Sequence, residues 1–178
     1  MDMTEKTIAS EKLFDGRVIR VRRDTVELPN GSTSTREVVE HPGGVAIVPV
    51  DADGNVYMVR QYRYPLKRLC LELPAGKLEY GEDHRECGIR ELSEETGMEA
   101  GNFEYLGVFC PSPGFCQELI HLYLATDLRE GERHPDEDEF LEVEKYPLSE
   151  LIQMIKEGKL QDGKTVIGLL LAKEVLQK

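Results

Sequence analysis

The run from Gly76 to Met98, GKLEYGEDHRECGIRELSEETGM, constrains this chain more than any other stretch of it. It contains six glutamates, and three of them, Glu91, Glu94 and Glu95, crowd the end of one predicted helix. Residues three and four apart share a helical face. At about 100° per residue, these three carboxylates project into one sector roughly 100° wide. The apolar pair Ile89 and Leu92 points elsewhere, toward a core. Like charges held together on a helix cost about a few tenths of a kcal/mol per pair, a cost that a cation removes. Oxygen-only ligands suit Mg²⁺ or Mn²⁺, ions that act on phosphate substrates. An ordinary charged surface helix scatters lysines among its glutamates, and this one has none after Lys77.

The rest of the chain sets outer limits. Its 178 residues suffice for one substantial domain with a small appendage. No apolar run reaches the length of a membrane span, and MDMTEKTIASEK lacks the apolar core of a signal peptide, so no membrane partner is expected. A net charge of −12 argues against a binder of nucleic-acid backbones. Cys70, Cys87, Cys110 and Cys116 show no CxxC pairing. Buried or idle thiols in a reducing cytoplasm are therefore expected, not a disulfide framework or a zinc site. His41, His84, His121 and His134 are scattered without HxxxH spacing; only His84, inside the acidic run, is a candidate neighbour of a site.

Residues 6–40 read as short strands, with a Pro-Asn-Gly turn inside TVELPNGSTSTREVVE marking a hairpin. Val45–Val50 has the pattern of a buried strand whose far end, at Pro49, is unpaired on one side. After the turn Asp51–Gly54, the alternating NVYMVRQYRYP is expected as its partner. Strands over 103–110 and 118–125 flank a rigid PSPGF loop, and acidic HPDEDEF leads into strand-like LEVEKYPL. Helices are predicted over Ser149–Glu157, ending near Gly158, and over Thr165–Gln177, capped by Asp162. The segment GKLQDGKT, Gly158–Thr165, satisfies the literal phosphate-loop pattern. That pattern needs a preceding strand, whereas LSELIQMIKEG has helical spacing, so a helix–helix turn is predicted. Strands outnumber helices before residue 145, which favours an α+β sandwich over a doubly wound sheet.

The acidic run resembles the Nudix box, G-x5-E-x7-R-E-U-x-E-E-x-G-U with U aliphatic. Gly76, Glu82, Arg90, Glu91, Leu92, Glu94, Glu95, Gly97 and Met98 fill its specified positions, taking Met98 as aliphatic. The resemblance implies an α/β/α sandwich around a mixed sheet in residues 41–178. It extends to VRQYRYP, LELPAGK and SPGF, and Pro113 lies sixteen residues beyond Gly97, as in the ADP-ribose pyrophosphatase branch. Residues 1–40 then resemble that branch's N-terminal antiparallel β subdomain, which is exchanged between protomers of a homodimer.

By the same resemblance, Glu91, Glu95 and the Ala75 carbonyl hold Mg²⁺, with Mn²⁺ a possible substitute. Glu94 is a further ligand or orients water, Gly76 lets the backbone approach the ion, and Arg90 fixes the glutamates. The general base falls in the acidic segment 136–139, with Glu137 and Glu139 as candidates and Asp138 as a further ligand. A solvated acidic loop is the plain alternative there. Arg60 and Arg63, three apart on a strand, emerge on opposite faces, and the match favours Arg63 as the phosphate contact. Arg36 reaches the substrate from the N-terminal subdomain, and Glu72 and Glu118 hold ribose hydroxyls or water. Tyr62 or Phe115 is a candidate for stacking on a base.

The implied activity is metal-dependent hydrolysis of ADP-ribose to AMP and ribose 5-phosphate. A pyrophosphatase for another nucleoside diphosphate sugar is the first alternative, because box residues touch only the shared diphosphate. A sensor that binds ADP-ribose without cleaving it comes last, since such proteins lose box glutamates and this chain keeps them.

Overall fold

In the computed structural model, residues 2–134 and 140–177 are described. In chain order the elements are β1 (Lys6–Asp15), β2 (Arg20–Glu27), β3 (Thr33–Glu40), β4 (Gly44–Pro49) and β5 (Asn55–Arg63). Then come β6 (Arg68–Glu72), β7 (Ala75–Lys77), α1 (His84–Thr96), β8 (Met98–Phe109), β9 (Ile120–Glu130), β10 (Leu141–Pro147), α2 (Leu148–Lys156) and α3 (Gly163–Leu176). They fall into two units, Met1–Gly43 with Cys110–Leu119, and Gly44–Phe109 with Ile120–Lys178.

The first unit is an antiparallel sheet of order β1–β2–β3. The hairpin turn forms at Pro-Asn-Gly, where Gly31 takes the left-handed φ of 82° and Asn30 Oδ1 accepts from the Ser32 amide at 3.0 Å. The PSPGF segment joins this unit through β3: the Val39 amide donates to Phe115 at 2.7 Å, and the Gln117 amide donates to Val39 at 2.9 Å. Every residue of β1 is exposed, including Ile8, Leu13 and Phe14.

The second unit is organised around β4, buried at all its residues. It lies in a mixed sheet of order β7–β4–β9–β8, parallel to β9 and antiparallel to β7. Alternation sends its side chains to two cores. Val45 and Ile47 pack with Tyr123, Cys87 and Leu92 on the α1 side, while Val48 packs with Leu124, Leu73 and Leu169 on the α3 side. Close approach of both helices is set by glycine. A Cβ on Gly88 of α1 would sit 3.0 Å from Val45 Cγ2, and one on Gly168 of α3 would sit 2.7 Å from Leu73 Cδ1. The result is the expected α/β/α sandwich with a mixed sheet. No helix among the described residues is long and apolar enough to cross a membrane.

Two local expectations are corrected. β5 does not pair along β4; it forms a separate antiparallel sheet of order β10–β5–β6 and meets the end of β4 only at the Val50–Val56 bridge. The edges of β4 are taken by β7 and β9, and Asp51, accepting from the amides of Asp53 and Asn55, shapes a turn that sends β5 away. Ile89 is 39% exposed. The buried arc of α1 runs through Cys87, Gly88, Glu91, Leu92, Glu95 and Thr96, so it is the absence of a side chain at Gly88 that seats the helix. Two other expected features form. The β4–β7 ladder covers only Gly44–Ala46, leaving Pro49 paired to β9 alone. The GKLQDGKT segment is a helix–helix turn, with Gly158 at φ 69° after α2 and Asp162 capping α3.

Candidate active site

The segment LELPAGK connects the two sheets of the second unit. Glu72 ends β6 in one sheet and Ala75 begins β7 in the other, with Leu73 and Pro74 between them. Proline cannot donate to a ladder, but its carbonyl accepts from the Ile47 amide at 2.9 Å and so docks the crossing on β4. This crossing brings two carboxylate clusters to one stretch of chain.

The first cluster is on α1. Asp83 caps the helix by accepting from the amides of Arg85 and Glu86, and Gly97 ends it in the left-handed conformation at φ 72°. Glu91 and Glu95 are buried, 7% and 2% exposed. Glu95 Oε2 accepts from the Ala75 amide at 2.9 Å. Gly76 is a cradle for Glu91: a Cβ there would lie 1.9 Å from Glu91 Cδ, which no side chain can tolerate. Arg90 Nη1 reaches Glu91 Oε1 at 2.8 Å and Glu94 Oε2 at 2.7 Å, and Nη2 reaches Glu82 Oε1 at 3.3 Å. Glu82 is held in turn by the Glu79 amide at 2.9 Å. Burial works against the Arg90 charge, but the charge of Glu91 and the bond to Glu94 outweigh it and raise its pKa. Burial, aided by Glu91 and Glu82, pushes the Cys87 thiol up to about 12, so this sulfur is neutral and inert. All four cysteines are free.

Two buried carboxylates against an open backbone cradle, all with hard oxygen donors, fit a divalent ion of the Mg²⁺ type. Among the described residues, no three His, Cys, Asp or Glu side chains are arranged to hold an ion by themselves. Of the expected ligands, Glu91 and Glu95 are buried on one helix and Glu95 meets the Ala75 backbone through its amide. Asp138, Glu137 and Glu139, the remaining acidic candidates, lie outside the described residues.

The second cluster centres on Glu72, 2% exposed. Arg63 Nε and Nη2 grip its two oxygens at 2.7 and 2.6 Å, and Lys164 Nζ also bonds Oε2. Burial alone would raise the Glu72 pKa; the hydrogen bonds and charges of Arg63 and Lys164 outweigh it and hold the carboxyl at about 2. The Arg63 pKa is raised, chiefly by its bond to Glu72, with smaller contributions from the charges of Asp162 and Glu95. That influence of Glu95 links the two clusters electrostatically.

The other candidates are placed as follows. Arg60 pairs with Glu144 across the β5–β10 ladder, on the opposite face from Arg63 as the spacing predicts. Arg36, Pro113 and Glu118 belong to the first unit. There Arg36 is gripped by Glu5, with Nε to Oε2 at 2.9 Å, and Glu118 lies 3.5 Å from His41 Nδ1. Tyr62 and Phe115 are exposed. His84 stacks on His121 with ring centroids 3.9 Å apart and shares a hydrogen bond with the Tyr123 hydroxyl at 2.6 Å. Lys164 and Asp162 complete this cluster. No local signal announces them, because Lys164 meets Glu72 across 92 positions of chain.

With this geometry in place, the comparisons with known proteins are specific. The family model described as NUDIX domain matches residues 40–167, and that of the nucleoside diphosphate sugar hydrolase N-terminal domain matches residues 5–39. The chain is 50% identical to a methanol dehydrogenase activator of Bacillus methanolicus over 93% of its length and 90% of that protein. It is 44% identical to an ADP-ribose pyrophosphatase of Bacillus subtilis (strain 168), covering 98% of this chain and 97% of the other. A crystal structure of an ADP compounds hydrolase superposes with a TM-score of 0.87 at 23% identity, covering 99% and 97% of the two chains, which supports the fold.

Proposed function

This chain belongs to the Nudix family and is a pyrophosphohydrolase of that family, and on that premise we propose that it hydrolyses ADP-ribose to AMP and ribose 5-phosphate. The observation that carries the chemistry is the pair of buried carboxylates at the start of β7, Glu91 against the bare Gly76 backbone and Glu95 on the Ala75 amide. The 44% identity to an ADP-ribose pyrophosphatase over almost the whole chain supports the substrate.

In this proposal Glu91, Glu95 and the Ala75 carbonyl hold Mg²⁺, with Mn²⁺ as a substitute. When bound, such an ion neutralises diphosphate charge and makes the attacking water more acidic. Glu94 orients that water, or completes the ligand set, and Arg90 keeps the glutamates in register by bridging three of them. Arg63, 39% exposed at its side chain and anchored by Glu72, offers a guanidinium to the diphosphate. The water's proton goes to Glu137 or Glu139, with Asp138 as a further ligand. Replacing each glutamate by glutamine separately should slow turnover at one position only, and indifference at both would remove the acidic segment from the mechanism. Arg36, Arg60 and Pro113 are proposed to contribute to substrate binding, and Glu118 to hold ribose hydroxyls or water.

The fully exposed β1, with Ile8, Leu13 and Phe14 on it, supports a homodimer in which residues 1–40 are exchanged between protomers. Light scattering on the full chain and on one lacking residues 1–40 tests this; the same number of subunits in both would exclude it. The four free thiols support a cytoplasmic location.

The deciding experiment is hydrolysis of ADP-ribose, nucleotide sugars, dinucleoside polyphosphates and nucleoside triphosphates with Mg²⁺ or Mn²⁺, with products separated by chromatography. AMP and ribose 5-phosphate chiefly from ADP-ribose is the expected result. Preference for another nucleoside diphosphate sugar would keep the chemistry and replace the substrate. Binding without cleavage would move the protein to the sensor class. A second role is favoured by the 50% identity to a methanol dehydrogenase activator: this chain would raise the rate of a methanol dehydrogenase, and the assay is that enzyme's turnover with and without it.

A further inference from the structure

The GKT of the phosphate-loop-like segment turns inward. Its lysine and threonine are built into the site's second carboxylate cluster. Asp162 Oδ2 accepts from the Thr165 amide at 3.1 Å and from the Thr165 hydroxyl at 2.6 Å. The same hydroxyl, fully buried, accepts from the Leu73 amide at 2.9 Å. The start of α3 is thus clamped onto the sheet crossing one residue beyond Glu72. Between these anchors lies Lys164, 12% exposed at its side chain, bonded to Asp162 at 3.0 Å and to Glu72.

The charges are ordered from the interior outward. Arg63 binds Glu72 side-on through Nε and Nη2, which leaves Nη1 outside the fork. Glu72 Oε2 receives both Arg63 and Lys164. A buried carboxylate is costly unless paired; here it has two cations, and Arg63 is the more exposed of them. Given the diphosphate-cleaving activity proposed above, we propose that Lys164, itself held by Asp162, is a positioning residue: by compensating Glu72 from behind, it keeps Arg63 fixed by geometry while leaving its charge available to the substrate diphosphate. Lys164 acts through Arg63 and does not touch the substrate.

The test is a double-mutant cycle read on binding as well as turnover. KM and kcat for ADP-ribose are measured together with the calorimetric affinity for ADP in Mg²⁺, for wild type, K164M, K164R, R63A and R63A/K164M. We expect K164M to raise KM and weaken ADP binding by roughly tenfold while kcat falls by less than about threefold, the pattern of lost uniform binding. K164R should recover affinity to within about twofold, because the charge returns. In the R63A background, K164M should change affinity by less than about twofold, even if the melting temperature still drops, because the residue it serves is gone. Multiplicative losses in the double variant would show an independent role and overturn the inference, as would an unaltered affinity in K164M. ADP binding that responds as described in a protein that leaves ADP-ribose intact would sustain the inference and reject the substrate assignment. A wild type that neither cleaves ADP-ribose nor binds ADP would reject both.

Discussion

Two carboxylate clusters meet at the LELPAGK crossing, and their charge ratios are inverse. On α1 one guanidinium, Arg90, is shared among three carboxylates, Glu82, Glu91 and Glu94. At the other, one carboxylate, Glu72, is shared between two cations, Arg63 and Lys164. The first arrangement concentrates negative charge on a buried backbone cradle and suits a divalent cation. The second presents positive charge toward an anion. A metal-bound diphosphate would call on both, and Glu72 is separated by two residues, Leu73 and Pro74, from Ala75, whose amide binds Glu95.

Substitutions that change one ratio at a time break or sharpen this contrast. The largest effect is expected from Glu95→Gln, which keeps an acceptor for the Ala75 amide and removes one charge from the cradle. Turnover should fall by about three orders of magnitude or more while the circular dichroism spectrum is unchanged; near-normal turnover would take Glu95 out of the metal set. Gly76→Ala comes next, because the added methyl occupies the position of the Glu91 carboxyl. We expect about a hundredfold loss of kcat/KM and about 1–3 kcal/mol of destabilisation from overpacking, measured by steady-state kinetics and urea unfolding.

Glu72→Gln removes the anion that Arg63 and Lys164 share, leaving Lys164 with Asp162. The expected loss is about 2–3 kcal/mol at neutral pH, with a pH signature. The folded carboxyl is held at about 2 against an ordinary value of 4.5. Its stabilisation is therefore complete above 4.5 and disappears as pH falls through 2. Melting temperatures of wild type and variant should converge over that window, and a constant gap would show that Glu72 contributes by packing. The smallest effect is assigned to Gly88→Ala, on the same helix as the acidic cluster but facing Val45 and Phe103. A loss of about 1 kcal/mol is expected, since improved helix propensity offsets part of the crowding. Kinetic constants should be retained, which separates seating of the helix from its charge.

The contrast also explains what could be read in the sequence. The α1 cluster is local: glutamates three and four apart, a glycine before them and a cap at Asp83 are all visible in 23 residues. Helical periodicity converts such spacing into a face, and the face is where the structure has it for Glu91 and Glu95. Hydrophobicity alone puts Ile89 on the seated side, whereas a glycine, Gly88, defines that side. The strand pattern of β4 was equally plain, yet its neighbours were not, since pairing depends on which edges are already occupied. The Glu72 cluster was half visible. Arg63 and Glu72 lie in legible motifs, but Lys164 is 92 positions away in the chain and sits in a misleading phosphate-loop pattern. Long-range charge compensation leaves no periodic trace.

The parallel pairing of β4 with β9 has a further consequence, in time. Its partners, Gly44 with Ile120 through Pro49 with Ala125, are 76 residues apart and include no local turn, the kind of contact that forms slowly because chain entropy is lost before the contact is gained. The acidic helix, stabilised by its own cap, forms early by comparison. During refolding, helical signal should therefore return before hydrolysis does, with enzymatic recovery following the closure of the central ladder.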